Sequence, residues 1–388
     1  MLGKWRFLIV MVFSVSALSS LCQSATPLVG QALVVGNAKY FFGTIPNATD
    51  DADAVARSLE RMHYRVTLLH DADLVSLGAA ITSFSAAIKG TNDIAVVYFA
   101  GHAVQVSGEN YLIPSDAQSM KPTELPARTA GLQSIFDAMR HHLGPNLVIL
   151  DACRSNPFGS PSGNDFVPGL SRPFNPPPNS TIMFSTAPGS VTTDGEGHHS
   201  PFTRALLRHL PQPGQLTDQL FQKVYADVQA NTDGLQMPSE TVSIPAPFAL
   251  RQPLYLVLQL SSGDDDVVVL VNHKETLDWN RDGATTKKVP LDEGINDLDV
   301  MVYNQRSYTG GIPFTGGHLP EGWNYALSVS DAYGHLLTPL SGREDVPSDN
   351  GPHHGKLFTV ATMKLSVSPD TDEISIVAVD PAVWTRDH

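Results

Sequence analysis

Two segments of the chain each end an apolar run on a residue that could do chemistry. The run IAVVYFA (94–100) leads into Gly101-His102-Ala103, and the run LVIL (147–150) leads into Asp151-Ala152-Cys153-Arg154. An imidazole beside a thiol makes a working nucleophile: the histidine stabilises the thiolate and later protonates a leaving amine. Taken singly, neither residue means much. Free cysteine is among the most buried residue types, and a lone histidine is commonly a core or surface residue. The pair matters only if the fold brings the two run ends together.

The surrounding pattern predicts such a fold. From residue 30 to about 250 short apolar runs alternate with helical stretches. Strands are expected at Gln31 to Val35, Arg65 to Leu69, Ile94 to Ala100, Leu147 to Leu150 and Thr181 to Ser185. A hairpin is expected within Val104 to Ile113. Helices are expected at Asp51 to Met62 with Asp50 as cap, Leu74 to Ile88, Leu132 to Leu143, Pro201 to His209 and Thr217 to Gln229. Buried strands joined by helical crossovers make a mostly parallel sheet with helices on both faces. Ligand sites on such sheets lie beyond the carboxyl ends of the strands. If the strands before His102 and Cys153 are neighbours, the two side chains share one crevice. The loop between Arg154 and Ser180, rich in Pro, Gly, Ser and Asn, is too long for a mere connector and reads as functional.

The order and spacing of these segments resemble the caspase-like cysteine peptidases, most closely the bacterial metacaspase-like members. The resemblance rests on LVVGNAKY (33–40), PNATDDADAVARSL (46–59), VVYFAGHAVQVSGENYLIPSDA (96–117), LVILDACRSNPF (147–158) and FSTAPGS…SPFTRALLRHL (184–210). It covers roughly residues 30–250. It implies a caspase-like mostly parallel sheet flanked by helices, with Cys153 as nucleophile and His102 as general base. The oxyanion hole would come from the N–H groups of Cys153 and of the residue after the histidine, Ala103. Family members usually have glycine there; alanine supplies the same N–H but disfavours positive φ. The metacaspase branch cuts after Arg or Lys and uses acidic pocket residues. Asp151, two before the nucleophile, and Asp51, after the first strand, match those positions. A carboxylate pair suits a desolvated guanidinium or ammonium. The plain alternative for Asp51 is a helix cap. Many relatives are cut in the loop after the nucleophile. Between Ser155 and Ser180 the only basic residue is Arg172, and Pro173 follows it, so a single chain without self-cleavage there is expected.

The remaining features set the context. The chain has 388 residues, a net charge of −14 and two cysteines, which leaves no disulfide scaffold and makes nucleic acid a poor partner. Lys4 and Arg6, an apolar run from Phe7 to about Leu21, and small residues to Ala25 have the layout of a secretory signal peptide at 1–25. Its removal would take Cys22 with it, leave Cys153 as the one thiol, and leave no membrane span. A periplasmic or secreted protein is the expectation.

The rhythm changes after about Pro253, which divides a peptidase domain (26–253) from an accessory domain (254–388). Short strands without helical pattern suggest an all-β sandwich-like fold for the second. That part carries 9 basic and 20 acidic residues, so most of the negative charge lies outside the catalytic half.

Asp278, Asn280 and Asp282 open a calcium-like loop, but Val289 stands where the bidentate glutamate belongs. The dyad itself requires no cofactor; calcium is a candidate, and a plain β-turn is the alternative. His63, His70, His141, His142, His198 and His199 show no metal-ligand spacing and read as solvated or local. The expected partner is a protein or peptide with a basic residue at the cleavage site; oligomeric state is open. Two rival functions are a catalytically weak or inactive caspase-like adaptor or peptide-binding protein, and a binding protein whose sandwich recognises a glycan or protein.

Overall fold

The computed structural model describes residues 29–118, 121–152, 169–190, 197–243, 246–263, 266–278, 284–292, 294–303, 321–330, 336–346, 357–367 and 374–381. The predicted signal peptide lies outside the described residues, as do Cys153, Asn280 and Asp282.

The first strand, β1 (Gly30–Gly36), runs into a small hairpin of β2 (Lys39–Tyr40) and β3 (Gly43–Thr44). Helix α1 (Ala48–Arg61) leads to β4 (Tyr64–His70), and α2 (Leu74–Ile88) to β5 (Ile94–Ala100). A hairpin of β6 (Ala103–Val106) and β7 (Glu109–Leu112) follows, then α3 (Leu125–Arg128), β8 (Ala130–Gly131) and α4 (Leu132–Met139). Strands β9 (Asn146–Asp151) and β10 (Ser180–Phe184), helices α5 (Pro201–His209) and α6 (Thr217–Asn231), and β11 (Ser239–Ser243) complete this part.

Six strands form one sheet in the order β11-β10-β9-β5-β1-β4. All pairings are parallel except that of β11 with β10. Side chains alternate across it, as strand geometry demands. Ala32, Val34, Val96, Tyr98, Leu147 and Ile149 pack on one face with α1, α5 and α6. Leu33, Val35, Val97, Phe99, Val148 and Leu150 pack on the other with α2 and α4. Both faces are covered, which is why β5 reads as a continuous apolar run rather than an alternating one.

Most predicted elements stand within two residues of their expected ends. Helix α1 is an exception: Asn47 stands at its N-cap, so the helix begins three residues early and Asp50 is not the cap. Asp50 and Asp51 belong to its first turn instead, where the helix dipole favours carboxylates. Helix α4 stops at Met139 rather than Leu143. The bond from His142 Nδ1 to Asn146 Oδ1 (2.9 Å) and the Gly144-Pro145 pair divert the chain there.

The later part holds β12 (Tyr255–Gly263), β13 (Asp266–Val271), β14 (Lys274–Asp278), β15 (Thr285–Pro290), β16 (Gly294–Tyr303), β17 (Glu321–Ser330), β18 (Leu336–Val346), β19 (Leu357–Val367) and β20 (Ile374–Pro381). They form two antiparallel sheets, β15-β12-β17-β18 and β14-β13-β16-β19-β20. Leu256, Leu258 and Leu327 from the first share one buried cluster with Val269, Leu298 and Met363 from the second. Two sheets closing over a common core is the arrangement of a sandwich. Among the described residues no helix is long and apolar enough to cross a membrane.

Candidate active site

Strands β5 and β9 are adjacent and parallel, and Ala100 stands opposite Asp151. His102 and Cys153 each follow that register pair by two residues, so the two run ends are level at the carboxyl edge of the sheet.

The backbone of His102 is held on both sides. Its N–H donates to Tyr40 Oη at 3.0 Å, and its carbonyl accepts from Ile113 N–H at 3.0 Å. Tyr40 Oη in turn donates to Ile113 O at 3.4 Å. Fully buried Asn37 joins the same knot, donating from Nδ2 to Ile113 O and Ala72 O, both at 3.2 Å, and accepting from Ala72 N–H at 2.8 Å. The imidazole sits in an aromatic corner, edge-on to Tyr40 at 4.8 Å and tilted against Phe42 at 5.4 Å. Gly101 makes room for this: a Cβ there would lie 2.6 Å from Tyr40 Oη and 2.9 Å from the Phe99 ring. Tyr40 and Asn37 lie inside the GNAKY segment, and no spacing pattern assigns a role to either. An asparagine directly after an apolar strand was the available signal.

Ala103 lies in β6, opposite Leu112 of β7. Because Ile113 N–H bonds His102 O, this is a non-hydrogen-bonded pair of the ladder, and the Ala103 N–H is directed away from β7. The residue adopts extended backbone, which alanine takes without strain. The expected conflict with positive φ does not arise here.

The two predicted pocket carboxylates come together, and a residue from a third element joins them. Asp51 is 2% exposed on α1, and Asp151 is 3% exposed at the end of β9. Ser200 lies between them as the N-cap of α5, its Oγ accepting from Thr203 N–H at 2.9 Å. Its N–H donates to Asp51 Oδ2 at 3.3 Å, and its hydroxyl donates to Asp151 Oδ2. Thr203 Oγ1 donates to the same Asp151 oxygen at 2.8 Å and lies 2.6 Å from Tyr98 Oη. His199 Nδ1 lies 2.7 Å from Asp51 Oδ1.

Asp51 therefore is not the cap of α1, and the half-buried His199 is not local, since it reaches a residue far away in sequence. Burial is the main reason that His199 titrates below the usual histidine range. Asp50 pulls the other way, while His198, Arg57 and Arg204 add to the lowering. The carboxylates are thus held by neutral donors at the start of two helices, where positive dipole ends stabilise negative charge. Such an arrangement can accept a cationic side chain.

Of the three candidate calcium ligands, Asp278 alone belongs to the described residues. Asp278 ends β14, and among the described residues no group of three or more His, Cys, Asp or Glu side chains could hold a metal ion.

Compared with known proteins, the chain matches the caspase domain over residues 29–249. The chain belongs to the caspase family. The match spans the six-stranded sheet and its helices and ends just before the antiparallel sheets begin. Among solved structures, caspase-1 from Spodoptera frugiperda is similar at 17% identity with a TM-score of 0.44, covering 58% of this chain and 90% of its own. No curated protein matches. Membership places the chain among cysteine peptidases and implies a protein substrate.

Proposed function

We propose that this protein is a secreted or periplasmic cysteine endopeptidase that cleaves after arginine or lysine. The observation that carries the reading is the Asp51–Ser200–Asp151 bridge, level with the strand ends that precede His102 and Cys153. A basic side chain would approach the Ser200-bridged carboxylates and bring its carbonyl to the thiol.

The steps balance as an acyl transfer. His102 takes the Cys153 proton as Sγ attacks the carbonyl carbon. The N–H groups of Ala103 and Cys153 hold the oxygen that becomes negative. His102 then gives the proton to the leaving amine as the C–N bond breaks. A water, deprotonated by His102, attacks the thioester and releases the acid, and the thiol returns. Oxyanion donors of this kind contribute about 10²–10³ in rate.

The leader at residues 1–25 would deliver a mature chain with one thiol to an oxidising compartment, where it can form no internal disulfide. The dyad needs no metal; calcium is a candidate regulator, tested by adding chelator. Arg172 is followed by proline, so the chain stays in one piece at that position.

The test is a set of peptidyl-coumarin substrates with Arg, Lys, Asp or Leu at the cleaved position. Wild type should prefer Arg and Lys. Asp51→Asn and Asp151→Asn should each lower kcat/KM for basic substrates by about 10–100-fold, the worth of a charge-assisted bond. A preference for Asp, or basic selectivity that survives both substitutions, would sink this reading.

A further inference from the structure

A cavity of about 410 Å³ adjoins the catalytic crevice on the side away from Asp151. Its lining includes Lys39, Tyr40, Phe41, Asp71, Ser115 and Asp116. Tyr40 is the wall shared with the crevice, since the same ring bonds and packs against His102.

The sheet explains the placement. Strands β9, β5, β1 and β4 are successive neighbours, and Asp151, Ala100, Gly36 and His70 stand level across them. The acidic pair belongs to the β9 end and His102 to the β5 end. Residues 39–41 and Asp71 follow the β1 and β4 ends. At about 4.8 Å per strand the row spans roughly 14 Å, the reach of about four extended residues.

In the proposed reaction His102 delivers the proton to the leaving amine. The substrate residues after the scissile bond therefore start at His102. The concave surface beyond it, away from the acidic pocket, is this cavity.

We propose that the cavity binds the leaving-side segment of the substrate, the residues C-terminal to the cut, and that Phe41 receives an apolar side chain there. The inference rests on the peptidase reading and adds a second recognition element to it. Phe41 is 82% exposed at the tip of the β2–β3 hairpin, while its neighbour Phe42 turns inward to Tyr40 and His102.

The floor beneath Phe41 is rigid. Asp71, at φ +47°, accepts the N–H groups of Ala38 and Lys39 on Oδ1, each at 2.8 Å. Ser115 Oγ donates to its carbonyl at 2.6 Å, and Lys39 Nζ lies 3.5 Å from Oδ2. Burial alone would raise the Asp71 pKa. The N–H groups of Lys39 and Ala38, with the Lys39 ammonium, outweigh it and hold the carboxyl below its usual range. Asp71 therefore stays ionised near neutral pH. Asp116 is a second acidic side chain of the lining, and among the lining residues Lys39 is the one cation. Acidic residues on the leaving side should be rejected.

Quenched peptides with arginine at the cleaved position test this, carrying Leu, Gly or Asp on the leaving side. A coumarin amide, which has no leaving-side residue, is the reference. Wild type should favour Leu over Gly by about tenfold, the usual worth of one apolar contact, and Asp should be poorest. Phe41→Ala should erase the Leu preference, and Phe41→Trp should keep it. Both substitutions lie on an exposed tip and should leave the melting temperature unchanged.

A second arm needs no catalysis. A fluorescent peptide equivalent to the leaving-side product is titrated into full-chain Cys153→Ala protein and into its Phe41→Ala double variant. Saturable binding that Phe41→Ala weakens supports the site even if no substrate is cut. Cleavage after arginine with equal rates for Leu, Gly and Asp would overturn the inference and leave the peptidase reading standing. Absence of binding by the product peptide would overturn it as well.

Discussion

Ser200 ties Asp51 to Asp151: its N–H reaches one carboxylate and its hydroxyl the other, while its Oγ also caps α5. Three elements remote in sequence are fixed by this one residue, through its backbone N–H and its hydroxyl. The relationship makes the acidic pair a positioned unit rather than two separate charges.

Ser200→Ala should therefore cost both stability and selectivity. Loss of the cap costs about 1 kcal/mol, and loss of a buried donor to a carboxylate about 1.5–3 kcal/mol. Urea unfolding should show a drop of roughly 2–4 kcal/mol, with a weakened preference for basic substrates. A change below about 0.5 kcal/mol would mean that the bridge contributes little.

Ala103 is the residue that the family resemblance assigns to the oxyanion hole, where glycine was expected. It sits in an extended strand, so its methyl group imposes no backbone strain. Ala103→Gly should leave kcat/KM within about threefold of wild type on a coumarin substrate. A gain of 10²-fold, the size of a restored oxyanion donor, would show that alanine distorts the hole.

His199 gives a pH signature with a defined sign. Its folded pKa lies below its unfolded value, because burial disfavours the imidazolium. Its stabilising contribution is complete above the unfolded value of about 6.5. It falls away as pH drops from there toward the folded pKa, where the unfolded state binds the extra proton. The groups facing it are Asp51, Asp50, His198, Arg57 and Arg204. Melting temperatures between pH 7.5 and 5 should fall more steeply for wild type than for His199→Gln. Parallel curves would show that His199 does not carry the effect.

The parts that were legible in the sequence are those written in local pattern. Apolar runs such as β5 and the LVIL of β9 mark buried parallel strands, and His102, Ala103 and Asp151 stand at or just beyond their ends. The position that the resemblance assigns to Asp51 lies in the first turn of α1, a helix that starts three residues before the boundary expected from spacing. The polar first turn of α1 hides its start, because apolar spacing begins only at Ala52.

What escaped was long-range. Ser200 and Thr203 look like an ordinary helix start, and His199 like a loop histidine; only the closed fold brings them to the carboxylates. The edge strand β11 (SETVS) is too polar to stand out as a strand. Tyr40 and Asn37 act through bonds to His102, Ala72 and Ile113, which no spacing rule encodes.

The proposed chemistry is that of a cysteine nucleophile served by His102 beside a pocket for basic side chains. It is tested most directly by treating the purified protein, with calcium and with chelator, with an arginine-directed covalent inhibitor of cysteine peptidases. The adduct is then mapped by mass spectrometry. One adduct is expected, at Cys153, suppressed by His102→Ala and weakened by Asp151→Asn. An unmodified Cys153 under both conditions, or labelling indifferent to His102, would contradict it.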